Sequence, residues 1–139
     1  MPATLTLAFA ALLVGLAIAI PAGFVSALRP GGRRDLSVSI LSQLGVSVPD
    51  FWMGILLILL FAETLGWLPS SGYVPMADGF VPWARHLVLP AFTVGIISGA
   101  IMTRFVRSAL LEVLGQDYVR TAHAKGVPRS KVLRKHVLR

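Results

Sequence analysis

The stretch 5–28, LTLAFAALLVGLAIAIPAGFVSAL, decides the fold because it is almost wholly apolar and carries no charge. A helix needs about 20 apolar residues to cross the roughly 30 Å hydrocarbon core of a bilayer. No basic residue precedes the run, and the run is longer than the apolar part of a secretory signal peptide. The stretch therefore predicts a transmembrane helix, and Pro21 predicts a bend near the end of that helix.

Small side chains recur at every fourth position of this first span. Lipid gives helices no hydrophobic reason to associate, so close backbone approach along small side chains is what packs them together. We predict a helix contact on this face; the alternative is an alanine-rich span without a special contact. The ridge consists of Ala11, Gly15, Ala19, Gly23 and Ala27.

Two further apolar stretches predict two further spans, at 36–61 and 87–103. The third span has Pro90 in its first turn and carries a second ridge with the same spacing. We expect Arg104 and Arg107 to follow its cytoplasmic end, where long basic side chains reach lipid headgroups. The second ridge consists of Ala91, Gly95, Gly99 and Thr103.

The second span changes character at its middle, where a serine-rich half precedes an apolar half. Pro49 between the halves predicts a kink. A polar half-helix in a membrane should face protein or water rather than lipid, so Ser47, Pro49 and Asp50 are candidates for lining a substrate path. The alternative for Asp50 is a structural acid that is hydrogen-bonded to neighbouring backbone or serine.

The composition and the distribution of charge predict a membrane protein and its orientation. The chain is 55% hydrophobic, which is typical of membrane proteins. It lacks cysteine, which excludes a disulfide scaffold. Its net charge is +7. Three arginines in the loop 29–35 and the basic end after residue 103 indicate the cytoplasmic side. The loop 62–86 is poorly charged, and its aromatic residues Trp67, Tyr73 and Trp83 suit the outer membrane–water interface.

The last stretch, 112–139, turns abruptly polar and basic: EVLGQDYVRTAHAKGVPRSKVLRKHVLR. Gly126 can end one helix in a left-handed cap, and Pro128 can open the next. The apolar residues of both helices recur at helical spacing. The stretch therefore predicts a helix–turn–helix with one apolar side, which should dock on a partner.

This stretch resembles the cytoplasmic coupling loop of inner-membrane permease subunits of bacterial ABC importers, most closely the dipeptide, oligopeptide and nickel branch. The segment LLEVLGQDYVRTAHAKG and the basic helix after it carry this resemblance. Two earlier segments of the chain, GVSVPDFWMGILLILLF and GWLPSSGY, also resemble the peptide branch. Ala122 and Gly126 match the family's Glu-Ala-Ala and Gly pattern. Arg120 and Thr121 stand where the general pattern has Glu and Ala, a departure that favours the peptide branch over the sugar branch.

The resemblance implies an all-α, multi-pass protein of the bacterial inner membrane, in which three spans and the coupling loop form part of a six-span domain. The residues 1–139 would then be a fragment of that domain. A helix continuous from Leu87 to Lys125 would transmit movement from a cytoplasmic ATPase. The residues that the resemblance assigns to ATPase docking are Asp117, Tyr118, Arg120, Ala122, Lys125, Gly126 and Arg129.

The implied partners are ABC ATPase subunits, a second permease subunit of the same or a sister chain, a substrate-binding protein outside the membrane, and membrane lipid. The chain has no glycine-rich phosphate-binding loop with Lys-Ser or Lys-Thr and no histidines at metal-ligand spacing. We therefore expect no cofactor, no metal and no enzymatic activity in this chain. Two alternatives use the basic end differently, as an amphipathic helix on anionic lipid or as a groove-binding nucleic-acid module; the exposed face suits nucleic acid poorly.

Overall fold

The computed structural model describes residues 2–116 of the chain, and all regular structure in this range is helical. The elements are α1 Pro2–Leu28, α2 Arg33–Ser47, α3 Asp50–Leu57, a π-helical segment Ile58–Thr64, a short 3₁₀ helix Met76–Asp78 and α4 Phe80–Leu114. Both α1 and α4 are long and apolar enough to cross a membrane, and the bent pair formed by α2 and Asp50–Thr64 adds a third span if it crosses as one. The predicted all-α membrane fold is confirmed.

The core of the described structure is the contact between α1 and α4, which pack along the two predicted ridges. All the ridge residues of both helices are buried. A Cβ atom added at Gly99 would lie 3.1 Å from the carbonyl oxygen of Gly15 and 3.3 Å from its Cα atom. The two backbones therefore approach too closely for a larger side chain, and the predicted helix contact is confirmed.

The same close approach continues towards the ends of α1 and α4 that carry the basic residues. A Cβ atom added at Gly23 would lie 2.6 Å from Cγ1 of Val106. Beside it Thr103 is 2% exposed, and its hydroxyl donates to the carbonyl of Gly99 at 2.7 Å. This bond satisfies the buried hydroxyl within its own helix. Helix α1 continues through Pro21 as far as Leu28.

The second predicted span is broken rather than merely kinked. The axes of Arg33–Ser47 and Asp50–Thr64 differ by 100°. Val48 is extended, with φ −82° and ψ 124°, and Pro49 also has extended backbone angles. The proline ring disfavours a helical conformation at the preceding residue and removes a backbone donor. These two effects separate α2 from α3.

Three predictions about the third span and the segments next to it are wrong. Helix α4 begins at Phe80, so Pro90 lies inside the helix instead of in its first turn, and the predicted loop 62–86 is shortened at both ends by helix. Helix α4 ends at Leu114, where the amide of Gly115 donates to the carbonyls of Leu111 and Glu112. The expected continuous helix from Leu87 to Lys125 is therefore interrupted after Leu114, and its part beyond residue 116 lies outside the described residues.

Replacing Gly99 by leucine should destabilise the packing of α1 against α4. Overpacking a tight contact costs about 1–3 kcal/mol, and here the obstacle is the backbone of α1, which cannot rotate away. Thermal unfolding of the purified chain in detergent measures the loss. The matched control is Ala109→Leu on the exposed side of the same helix, which should unfold like the unmodified chain; equal unfolding temperatures for both variants would contradict the contact.

Candidate functional site

The three residues predicted to line a substrate path meet at the break between α2 and α3. Ser47 is the last residue of α2, Pro49 precedes α3, and Asp50 is the first residue of α3. All three are exposed on the surface of the described structure. Ser47, Pro49 and Asp50 thus lie together on one bend, which we call the polar bend.

The polar bend offers hydrogen-bonding groups that its own helices do not use up. The hydroxyl of Ser47 donates to the carbonyl of Gln43 at 2.8 Å and keeps its acceptor capacity. Within residues 2–116 the carboxylate of Asp50 has no hydrogen-bond or ionic partner, so the alternative in which backbone or serine holds it is not seen there. An unpaired carboxylate is costly in lipid, so this surface must face water or another protein segment.

A second polar site joins three elements at the end of α1 that leads into the arginine-rich turn. The carboxylate of Asp35, near the start of α2, is 5% exposed. Arg107 of α4 donates to it from Nε at 2.8 Å and from Nη2 at 2.9 Å. Ser26 of α1 donates its hydroxyl to the same carboxylate, and the amide of Gly31 donates at 2.8 Å. We call these four residues the ion-pair cluster.

The ion-pair cluster satisfies its buried charge completely. A carboxylate has about four lone-pair positions, and Asp35 accepts four hydrogen bonds. The two bonds from Arg107 form a planar, bidentate pair, the strongest arrangement for these groups. Gly31 reaches its position with φ +74°, a left-handed conformation that glycine adopts without strain. The turn between α1 and α2 is thereby fastened to α4.

Sequence reasoning missed this cluster and assigned Arg107 to lipid headgroups, which is wrong. Arg107 and Asp35 are 72 positions apart, so no local period connects them, and Asp35 was assigned to a cytoplasmic loop. One signal was available: Arg107 extends the spacing of the second ridge by four residues beyond Thr103. The same face of α4 that packs on α1 therefore presents its guanidinium to Ser26, which is fully buried.

The opposite end of the described structure carries the predicted interface aromatics. Trp67 and Tyr73 are each 62% exposed, as expected for anchors at a membrane surface. Arg85 of α4 donates to the carbonyl of Trp67 at 2.7 Å, and Gly72 lies against the ring of His86. These contacts hold the irregular segment between the π-helical turn and α4 against the start of α4.

The predicted ATPase-docking residues lie outside the described residues, which end at position 116. They are Asp117, Tyr118, Arg120, Ala122, Lys125, Gly126 and Arg129. The same holds for the predicted helix–turn–helix from its sixth residue, Asp117, onward. Helix α4 nevertheless leads directly to this segment, because it ends at Leu114.

Removing Arg107 alone from the ion-pair cluster should destabilise the chain far more than removing both charged partners. Arg107→Ala leaves the buried carboxylate of Asp35 without its counter-charge, which costs about 3–5 kcal/mol, whereas replacing both partners by leucine avoids that penalty. Asp35→Ala should cost less, because the side chain of Arg107 is 31% exposed and can reach water. Chemical unfolding of the purified chain in detergent measures the difference. Arg104→Ala, an exposed neighbour on α4, serves as the control, and a loss there as large as for Arg107→Ala would refute the special role of the pair.

Comparison with known proteins extends over the whole chain. Residues 19–139 match the model of the family described as "Binding-protein-dependent transport system inner membrane component". A putative peptide transport system permease protein of Brucella suis biovar 1 (strain 1330) is 43% identical over 139 residues, which cover 100% of this chain and 44% of that protein.

Two relatives from other bacteria give similar values. The oligopeptide transport system permease protein AppB of Bacillus subtilis (strain 168) is 41% identical over 141 residues, covering 100% of this chain and 45% of that protein. The di/tripeptide transport system permease protein DppB of Pseudomonas aeruginosa (strain UCBPP-PA14) is 40% identical over 158 residues, covering 99% of this chain and 47% of that protein. The chain spans less than half the length of these curated relatives.

Proposed function

Because the chain belongs to the family of binding-protein-dependent transport system inner membrane components, we propose that it forms part of the permease of a peptide-type ABC importer. The predicted family and the predicted location in a bacterial inner membrane are confirmed by this match and by the apolar helices. The family is one of transport permeases, so ATP hydrolysis belongs in this proposal to a separate subunit.

The observation that carries the peptide assignment is the similarity of the entire chain to proteins named as peptide, oligopeptide and di/tripeptide permeases. The polar bend is compatible with such a cargo. Peptides carry amides and charged termini, which need hydrogen-bond donors and acceptors while they cross a membrane. Ser47 and Asp50 present such groups at a break in a membrane segment.

In this proposal the polar bend lines part of the translocation path. Pro49 separates α2 from α3, and the resulting 100° turn exposes the flanking polar side chains. A path through a membrane requires polar groups that are not consumed by their own helix, and Asp50 meets that requirement in the part of the chain that the structure describes. In a continuous helix, Ser47 and Asp50 would lie on the same side of that helix.

The segment after α4 is proposed to couple this path to an ATPase. Asp117, Tyr118, Ala122 and Gly126 would enter a cleft on the ATPase surface, where the small residues allow close approach. Basic side chains would pair with acids at the rim of that cleft: Arg120, Lys125 and Arg129. The complete importer would further contain a second permease subunit and a substrate-binding protein on the outer side.

A bulky residue at position 126 should abolish ATPase association without affecting membrane insertion. Gly126→Trp places an indole where the resemblance requires close packing, so the segment would be held out of the cleft. The measurement is copurification of the ATPase subunits with the tagged chain, co-expressed with the other subunits of its transporter. Ala109→Trp, on an exposed part of α4, is the control and should copurify normally. Retained association of the Gly126→Trp variant counts against the docking proposal.

Residues of the polar bend should be accessible to water inside the membrane. The chain has no cysteine, so Ser47→Cys and Asp50→Cys each introduce a single labelling site. In membrane vesicles that contain the assembled transporter, both sites should react with a membrane-impermeant maleimide, and peptide should slow the reaction. Phe9→Cys, 63% exposed on the apolar surface of α1, should not react. Labelling of Phe9→Cys alone would exclude the bend from the path.

A further inference from the structure

We infer that Asp35 and Arg107 are positioning residues for transport: their ion pair makes α2 follow α4 and carries movement of the cytoplasmic end of α4 to the polar bend. The inference rests on the proposed function, because it requires the segment after α4 to be moved by an ATPase. It assigns a role to a site that has no part in binding cargo or ATPase directly.

The ion-pair cluster lies on the direct route between the two proposed functional segments. Arg107 precedes the end of α4 at Leu114 by about two helical turns, or roughly 10 Å at 1.5 Å per residue. Asp35 is in the first turn of α2, and the other end of α2 is Ser47 at the polar bend. Movement of the end of α4 therefore reaches the start of α2 through one side-chain contact.

Helix α2 buries few of its own side chains, and it approaches α4 closely at Gly45, where an added Cβ atom would lie 2.9 Å from the Cβ atom of Ala100. Asp35 and Ser42 are its buried residues, and its large apolar side chains are exposed: Leu36, Ile40, Leu41, Leu44 and Val46. Within residues 2–116 the side-chain hydrogen bonds between α2 and α4 are the two from Arg107 to Asp35. The ion pair therefore supplies the directional link between these helices, in addition to the non-directional contact of Gly45 with Ala100.

The geometry of the pair suits a rigid link. Two parallel N–H···O bonds fix the orientation of the carboxylate as well as its distance, which a lysine cannot do. Ser26 and Gly31 hold the same carboxylate from α1 and from the turn, so Asp35 cannot swing away on its own. Separating the pair would leave the buried carboxylate without its counter-charge, so α2 and α4 should move together.

The decisive variant is the double replacement Asp35→Leu/Arg107→Leu, which removes the directional link without leaving an unpaired charge. We expect this variant to fold and assemble with its ATPase, yet to take up at least about fivefold less peptide per ATP hydrolysed, the lower range of ordinary coupling effects. Arg107→Lys keeps the charge but cannot form the two parallel hydrogen bonds, so its peptide uptake per ATP hydrolysed should lie between those of the double variant and the unmodified protein. Arg104→Leu should behave as the unmodified protein does. An unchanged ratio in the double variant would show a merely structural role and overturn the inference.

A distance measurement on the chain itself separates this inference from the proposed function. Spin labels on Leu41→Cys and Phe105→Cys, at positions 67% and 71% exposed, report the position of α2 relative to α4 by pulsed electron paramagnetic resonance. We expect a narrow distance distribution with the pair intact and a broader or shifted one in the double leucine variant. An unchanged distribution overturns the inference, even where ATPase binding and peptide uptake are normal. Absence of ATPase binding by the unmodified protein would refute the proposed function. The distance distribution would still test whether the ion pair fixes α2 relative to α4.

Discussion

The close approach of the α1 and α4 backbones is the constraint on which the rest of the described structure depends. Apolar side chains gain nothing from leaving lipid for one another, so two apolar helices associate only where their surfaces fit closely. Here the fit comes from small residues, mostly glycine and alanine, at every fourth position of both helices. At Gly15 and Gly99 the contact involves main-chain atoms themselves. This rigid pair serves as the frame for the less tightly packed segments.

Beyond the last small residues of the two ridges, the ion-pair cluster connects α2 to the packed pair of α1 and α4. Arg107 follows Thr103 on the same face of α4, so the register that brings Gly99 to Gly15 also brings the guanidinium to Ser26 and Asp35. The free energy of the pair depends on burial and complete hydrogen bonding, because an ion pair removed from water is favourable only when its geometry is good. The polar site therefore depends on the close packing of the two helices.

The segments after α1 and before α4 are packed less tightly. Helix α2 presents most of its apolar residues outward, and the following helix turns away by 100° after Pro49. In the proposed function, a permease combines parts that keep their shape with parts that open a path, and the chain would then separate these two roles along its sequence. The chain spans less than half the length of its relatives, so the exposed surface of α2 and the polar bend is where the proposed partner segments would contribute.

Much of the fold follows from the sequence alone. The uncharged run 5–28 dictates a membrane helix, and the periodic small residues of both ridges identify the faces that meet, because helical geometry converts a four-residue spacing into one side of a helix. Ser47, Pro49 and Asp50 could likewise be proposed from the sequence as residues that line a path, since they are neighbours whose chemistry is unusual inside a membrane. The family resemblance came from short sequence segments and needed no three-dimensional information.

The tertiary structure alone decided the pairing of Asp35 with Arg107 and the break of the second span into two segments. Residues 72 positions apart meet only after two helices have packed in a particular register, and no sequence period encodes that register across different helices. The angle after Pro49 likewise depends on what each segment packs against, because a proline permits a change of direction without specifying its size. The sequence thus determined which faces and residue types were available, and packing determined which of them meet.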